Sequence, residues 1–337
     1  MSTAEERAKR VLAGEVRAAA RLMRDLDDEI PSAREALAAL HAHTGHAFVV
    51  GITGNPGSGK STLTDALIHH WRGEGKTVGI VAIDPTSPFT GGAILGDRVR
   101  MQRHATDEGV FIRSLATRGN LGGLSRSTLD VVRVMDAMGK DVVVIETVGV
   151  GQDEIEVTRA AHTSIVVVVP GLGDDVQAIK AGILEIADLF VVNKADRPGA
   201  DKTVRELRMM LDLFKPGATR APARGAMAPR GVAQSADGGW QVPILQTVAL
   251  RGEGVEAVAE SLEAHRAWLV ESGNWTRREH DRARFELVEA LKHRLLAAAL
   301  ARLESDGAQL EDLAERVARR EADPDTLAAE IVARLGG

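Results

Sequence analysis

Lys60 and Ser61 close the run Gly54-Asn55-Pro56-Gly57-Ser58-Gly59-Lys60-Ser61, a GxxxxGKS spacing followed by Thr62. Glycines at the first and sixth positions let a backbone curl so that its N–H groups and the next helix N-terminus face a chain of phosphates. Lys60 then has the reach for the β- and γ-phosphates, and the Ser61 hydroxyl is the ligand such loops give to Mg²⁺. The context fits this chemistry. Apolar, mostly β-branched residues from Phe48 to Ile52 lead in, and Leu63, Leu67, Ile68 and Trp71 follow at helical spacing.

The base is named further on, at Asn193-Lys194-Ala195-Asp196 after the apolar run ending in Val192. An aspartate carboxylate accepts two hydrogen bonds only from a base edge with two donors, which guanine has and adenine lacks. The expected nucleotide is therefore GTP or its product GDP. Thr247, Val248 and Ala249 end a later strand, where backbone amides can meet the guanine oxygen. On the phosphate side, Glu146 opens Glu146-Thr147-Val148-Gly149 in the place of the familiar DxxG, so the Gly149 amide is a candidate for the γ-phosphate. Asp84, at a strand end, and Asp97, in a loop, join Glu146 as candidates beside Ser61 for the magnesium side. Mg²⁺ keeps several waters, so one or two of them suffice as direct ligands. Lys60, Glu146 and Asp97 are the expected catalytic groups. Ras-like enzymes use a glutamine after the glycine to orient water, but here Val150 stands there and Gln152 comes two residues late. Slow intrinsic hydrolysis is the consequence.

These residues need a scaffold that brings strand ends together. Strand and helix patterns alternate from residue 47 to about 270, with expected strands near 78–83, 110–113, 141–145, 164–169, 189–192 and 243–248. That alternation predicts a mostly parallel α/β sheet whose ligand site lies at the C-terminal strand ends. Residues 1–46 read as a helical segment, broken at Pro31, and 273–337 as a C-terminal helical arm with an apolar stripe from Phe285 to Leu303, continued by Leu310, Leu313, Val317, Leu327 and Ile331. The arm must bury that stripe on its own chain, a second copy or a partner. Residues 215–240, rich in Gly, Ala, Pro and Arg, read as a flexible insertion in the 47–272 domain.

Composition narrows the function classes. The 337 residues carry a formal net charge of −6, which offers no basic footprint for nucleic acid. No cysteine is present, which excludes disulfides and thiolate metal sites. No apolar run reaches the length of a membrane span, and a cytoplasmic location is expected. His41, His43 and His46 invite a metal reading, although they fall where a helix gives way to the first strand.

Taken together, GNPGSGKST, IDPTSP, GDRVRM, ETVGVGQDE, PGLGDDVQAIKAGILEIAD and NKAD resemble the MeaB family, GTPases associated with methylmalonyl-CoA mutase and formerly labelled arginine kinases of a transport system. The resemblance runs from about residue 5 to 300 and implies a P-loop GTPase fold. It also implies a homodimeric chaperone, with the arm as a dimerisation element, that gates adenosylcobalamin loading into the mutase and protects it. Ser61, Asp84, Asp97 and Glu146 around Mg²⁺, and a switch containing Asp174 and Lys180, are further implications. A nickel-delivery GTPase of the same broad class is the alternative, with the three histidines as its candidates.

Overall fold

A computed structural model describes residues 3–84, 102–104, 106–116, 126–147, 149, 153–171, 187–213, 239–305 and 310–333. Seven strands form one sheet: β1 (Phe48–Thr53), β2 (Val78–Asp84), β3 (Val110–Ala116), β4 (Val142–Glu146), β5 (Thr163–Val168), β6 (Leu189–Asn193) and β7 (Ile244–Thr247). Every pairing among them is parallel, in the spatial order β3-β2-β4-β1-β5-β6-β7. All seven expected strands are present. β1, β4 and β6 are buried along their whole length, as strands covered on both faces should be, whereas the edge strand β7 carries the exposed Gln246.

Alternation along the strands sorts the core into two layers. Ile165, Val167, Leu189 and Val191 face one cluster with Phe48, Ile52, Leu67 and Trp71, whereas Val166, Phe190 and Val192 pack with Leu207 in the other. The first layer is closed by α4 (Lys60–Gly73) and α8 (Val255–Glu271), the second by α7 (Ala200–Leu213). Between them in sequence come α5 (Arg126–Ala137) and α6 (Asp153–Ala160).

The N-terminal segment forms three helices, α1 (Ala4–Leu12), α2 (Val16–Asp27) and α3 (Pro31–Leu40). The sequence pattern anticipates the break at Pro31 but not the one before Val16. Gly14 makes that earlier break by taking φ +75°, where a side chain would be strained. These helices pack on α5, where Arg34 pairs with Asp130. The segment is then tied to β1 by Asp136, whose carboxylate accepts from the backbone N–H groups of Gly45 (2.6 Å), His46 (3.1 Å) and Ala47 (2.9 Å).

The chain divides into two compact units, 1–282 and 283–337. Helix α9 (Asn274–Ser305) passes from the first into the second, which also holds α10 (Leu310–Ala318) and α11 (Pro324–Ala333). Within the second unit Phe285, Leu303 and Leu327 are buried, while Val288, Leu291 and Leu295 of the same stripe are exposed.

Candidate nucleotide-binding site

The strand order reverses direction around β1, with β4 on one side and β5 on the other, and the loop after β1 crosses that point. Its shape depends on close approach. Gly54 has φ +136°, and a Cβ there would stand 2.1 Å from the Val167 carbonyl oxygen; at Gly59, φ +92°, it would stand 2.3 Å from Asn193 Nδ2. Neither gap admits a side chain, so the two glycines are fixed by space as well as by conformation. Gly57 also lies in the left-handed region, Asn55 is half-buried and Pro56 exposed.

Lys60 opens α4 and is buried, with Nζ donating to the carbonyls of Gly54 (2.7 Å) and Asn55 (3.1 Å). The ammonium thus folds back over the loop, where an entering phosphate can draw on it. Ser58 Oγ is buried without a hydrogen-bond partner among the described residues. A buried hydroxyl so placed costs free energy unless an acceptor reaches it, and phosphate oxygens are such acceptors. Thr62 is half-buried in the first turn of α4.

Glu146, buried at the end of β4, faces the same turn. Its Oε1 accepts from Ser61 Oγ at 2.5 Å and its Oε2 lies 2.8 Å from Thr64 Oγ1. Next to it, Thr147 and Thr53 hydroxyls meet at 3.0 Å. Hydroxyl and carboxylate oxygens held together in this way are the donor set Mg²⁺ prefers, so the residues fit that ion. Gly149 closes on the loop as well: a Cβ there would lie 1.9 Å from Gly54 O. Asp84 ends β2, two residues beyond Ala82, the register partner of Glu146. Asp97, Asp174, Lys180, Val150 and Gln152 lie outside the described residues, as does the expected insertion apart from Gly239 and Trp240.

The base side is assembled by Asn193 at the end of β6. Its Nδ2 donates to Ser58 O (2.9 Å), and its Oδ1 accepts from Thr247 Oγ1 and the Ala249 backbone N–H, both at 3.1 Å. Asn193 is therefore the bolt between phosphate loop and base loop. Lys194, at φ +57°, donates from Nζ to Gly57 O at 2.7 Å, and Ala195 N donates to Thr247 O at 3.0 Å. That leaves Asp196 exposed, its carboxylate 3.5 Å from Arg251, which itself pairs with Glu253 at 2.6 Å. Val248 precedes a 3₁₀ turn, Ala249–Arg251.

Known proteins share this sequence and fold. The family described as methylmalonyl-CoA mutase-associated GTPase MeaB matches residues 19–304. The chain belongs to the MeaB family. It is accordingly a GTPase that binds GTP and GDP. A Pyrococcus horikoshii protein assigned as a GTPase is 44% identical over 337 residues, covering 100% of both chains. The Caenorhabditis briggsae protein named methylmalonic aciduria type A homolog, mitochondrial, is 34% identical over 254 residues, 74% of this chain and 57% of that protein. Among solved structures, one named LAO/AO transport system kinase superposes with a TM-score of 0.66, at 24% identity, over 99% of this chain and 98% of its own, which supports the fold.

Two residues of this MeaB-family site escape the sequence motifs. Thr64 contacts Glu146 because it lies one turn after Ser61 on α4, a spacing visible in the sequence once Glu146 is known to face that turn. Thr53 carried no signal, since its contact with Thr147 exists only through the pairing of β1 beside β4.

Proposed function

We propose that this GTPase is a chaperone for an adenosylcobalamin-dependent acyl-CoA mutase, methylmalonyl-CoA mutase first among them, gating cofactor loading and protecting the loaded enzyme. The observation that carries the reading is the family match over residues 19–304, whose description names association with that mutase. In this reading Gly54 to Thr62 and Gly149 cradle the phosphates and Asn193, Lys194, Asp196 and Thr247 to Ala249 take the guanine. Ser61 and Glu146, with Asp84 and Asp97, hold Mg²⁺, which supplies charge neutralisation at the phosphates when bound. Lys60, Glu146 and Asp97 carry hydrolysis, and Asp174 and Lys180 belong to a switch read by the mutase. The protein works as a homodimer joined through the helical arm of residues 273–337, in the cytoplasm, with neither nucleic acid nor membrane as partner.

Nickel delivery would require a cluster of ligands. Among the described residues no three histidine, cysteine, aspartate or glutamate side chains gather to hold a metal ion, and His41, His43 and His46 are all exposed.

The test is GTP turnover by the purified protein with and without an adenosylcobalamin-dependent methylmalonyl-CoA mutase. We expect slow turnover alone and a rise of at least about tenfold with the mutase, since ordering of catalytic loops by a partner multiplies rates of this kind by large factors. Turnover of many per second by the isolated protein, or no response to the mutase, overturns the reading.

A further inference from the structure

We infer that Thr64 is a positioning residue for nucleotide chemistry, locking the Glu146 carboxylate in the orientation in which it meets Ser61. The inference rests on the reading of Glu146 as part of the magnesium side and adds to it a residue outside every nucleotide-binding motif of the chain.

Glu146 occupies the place where the DxxG pattern has aspartate. A glutamate carboxylate stands one methylene further from its backbone and has one more rotatable bond, so fixing its orientation takes more than the bond from Ser61. Thr64 supplies a second tether, on the other carboxylate oxygen, at 2.8 Å. Its hydroxyl also lies 3.0 Å from the Lys60 carbonyl, but it has one proton to donate, and the charged carboxylate is the stronger acceptor. Thr64 is wholly buried, so water does not compete for that proton, and its β-branch restricts the side-chain rotation that would carry the hydroxyl away. Ser61 and Thr64 are one turn apart on α4, and their two hydroxyls grip the two oxygens of one carboxylate from the same helix face. Ser61 Oγ can then give a lone pair to a cation while its proton stays on Oε1, with Oε2 anchored elsewhere. The extra length of glutamate is matched by the extra hydroxyl.

The test follows release of a fluorescent GDP analogue from the full-length protein as Mg²⁺ is varied, for Thr64→Val, Thr64→Ala, Thr64→Ser and Glu146→Gln. Removing the hydroxyl should raise the Mg²⁺ concentration for half-maximal retention about tenfold or more, as loss of partners that orient metal ligands does. Release in excess EDTA should stay close to the parent's, Thr64→Val and Thr64→Ala should melt somewhat lower because they leave a buried carboxylate oxygen without its donor, and Thr64→Ser should restore the parent's Mg²⁺ requirement. A parental Mg²⁺ requirement in both Val and Ala variants, with Glu146→Gln shifted, overturns the role of Thr64 alone. A parental requirement in Glu146→Gln overturns the reading of the magnesium side as well. Equal loss with and without EDTA, not rescued by serine, means a packing role only and also overturns the inference.

Discussion

Asp196 is a residue whose type alone predicts a specificity. Its carboxylate is exposed beside the Asn193 bolt, where a base edge can reach it, and the nearby Arg251 is already engaged by Glu253. In the proposed base site two charge-assisted hydrogen bonds to guanine depend on it, and their loss would be worth about 3 kcal/mol. Asp196→Asn should therefore weaken GTP binding about 100-fold. The same variant should prefer xanthosine triphosphate, whose base has a carbonyl where guanine has its amino group and so matches the new amide donor. Titration calorimetry with both nucleotides checks this; unchanged GTP affinity would remove Asp196 from the base site.

At the scale of elements, the end of the sheet away from the nucleotide holds a buried polar seam that no motif announced. The first turns of α9 are fastened there. Arg278 pairs with wholly buried Asp188 at 2.6 Å, and Arg282 donates to the Ala160 carbonyl at 2.9 Å. His162 stacks on Trp275 at 4.3 Å, accepts at Nδ1 from Val49 N–H at 2.8 Å, and meets Glu279 through Nε2. Burial first, then the neighbouring Arg282 guanidinium, push its pKa from 6.5 down to about 4, against the opposing pull of Glu279. His265, buried near Asp188 and Arg278, is pushed by the same desolvation to about 4. In the unfolded chain both bind a proton near pH 6.5, so between that pH and 4 the unfolded state holds more protons and stability falls as pH falls. Glu279, held down to about 2 chiefly by the His162 hydrogen bond, adds a loss of the same sign below pH 4.5. The His162 contribution is on the order of 3 kcal/mol across its window. We expect the melting temperature to drop between pH 7 and 5. His162→Asn, which keeps an acceptor for Val49, should lower stability at pH 7 yet flatten that dependence. An unchanged slope of melting temperature against pH would exclude His162 as a source.

For the molecule as a whole, the second unit carries an exposed apolar face. Leu287, Leu291 and Leu295 of α9 are exposed, at 62%, 49% and 59%. A helix with such a face is stabilised by burying it, and a second copy of the chain is the occupant the homodimer proposal names. Leu291→Glu with Leu295→Glu should convert the dimer to monomer in light scattering while GDP binding is retained. A persistent dimer would place the contact elsewhere.

The sequence by itself determined the α/β class and all seven strands, and it displays the GxxxxGKS loop, the NKAD motif and the helical pattern after residue 273. Those features are local: a GxxxxGKS spacing, a strand-end NKAD and a run such as Val142 to Ile145 carry their own backbone preferences, whatever surrounds them. What it could not state was which residues meet across the fold. Ser61 beside Glu146 was legible from the motifs, but the second grip, Thr64 on Glu146, joins positions more than eighty apart in sequence, and His162 finds Glu279 more than a hundred positions on. Nothing in the type or spacing of a threonine or a histidine encodes such a partner. The parallel stacking of β4 beside β1 and the docking of α9 under the sheet decided it, because only there do burial and distance turn an ordinary hydroxyl or imidazole into a fixed hydrogen bond.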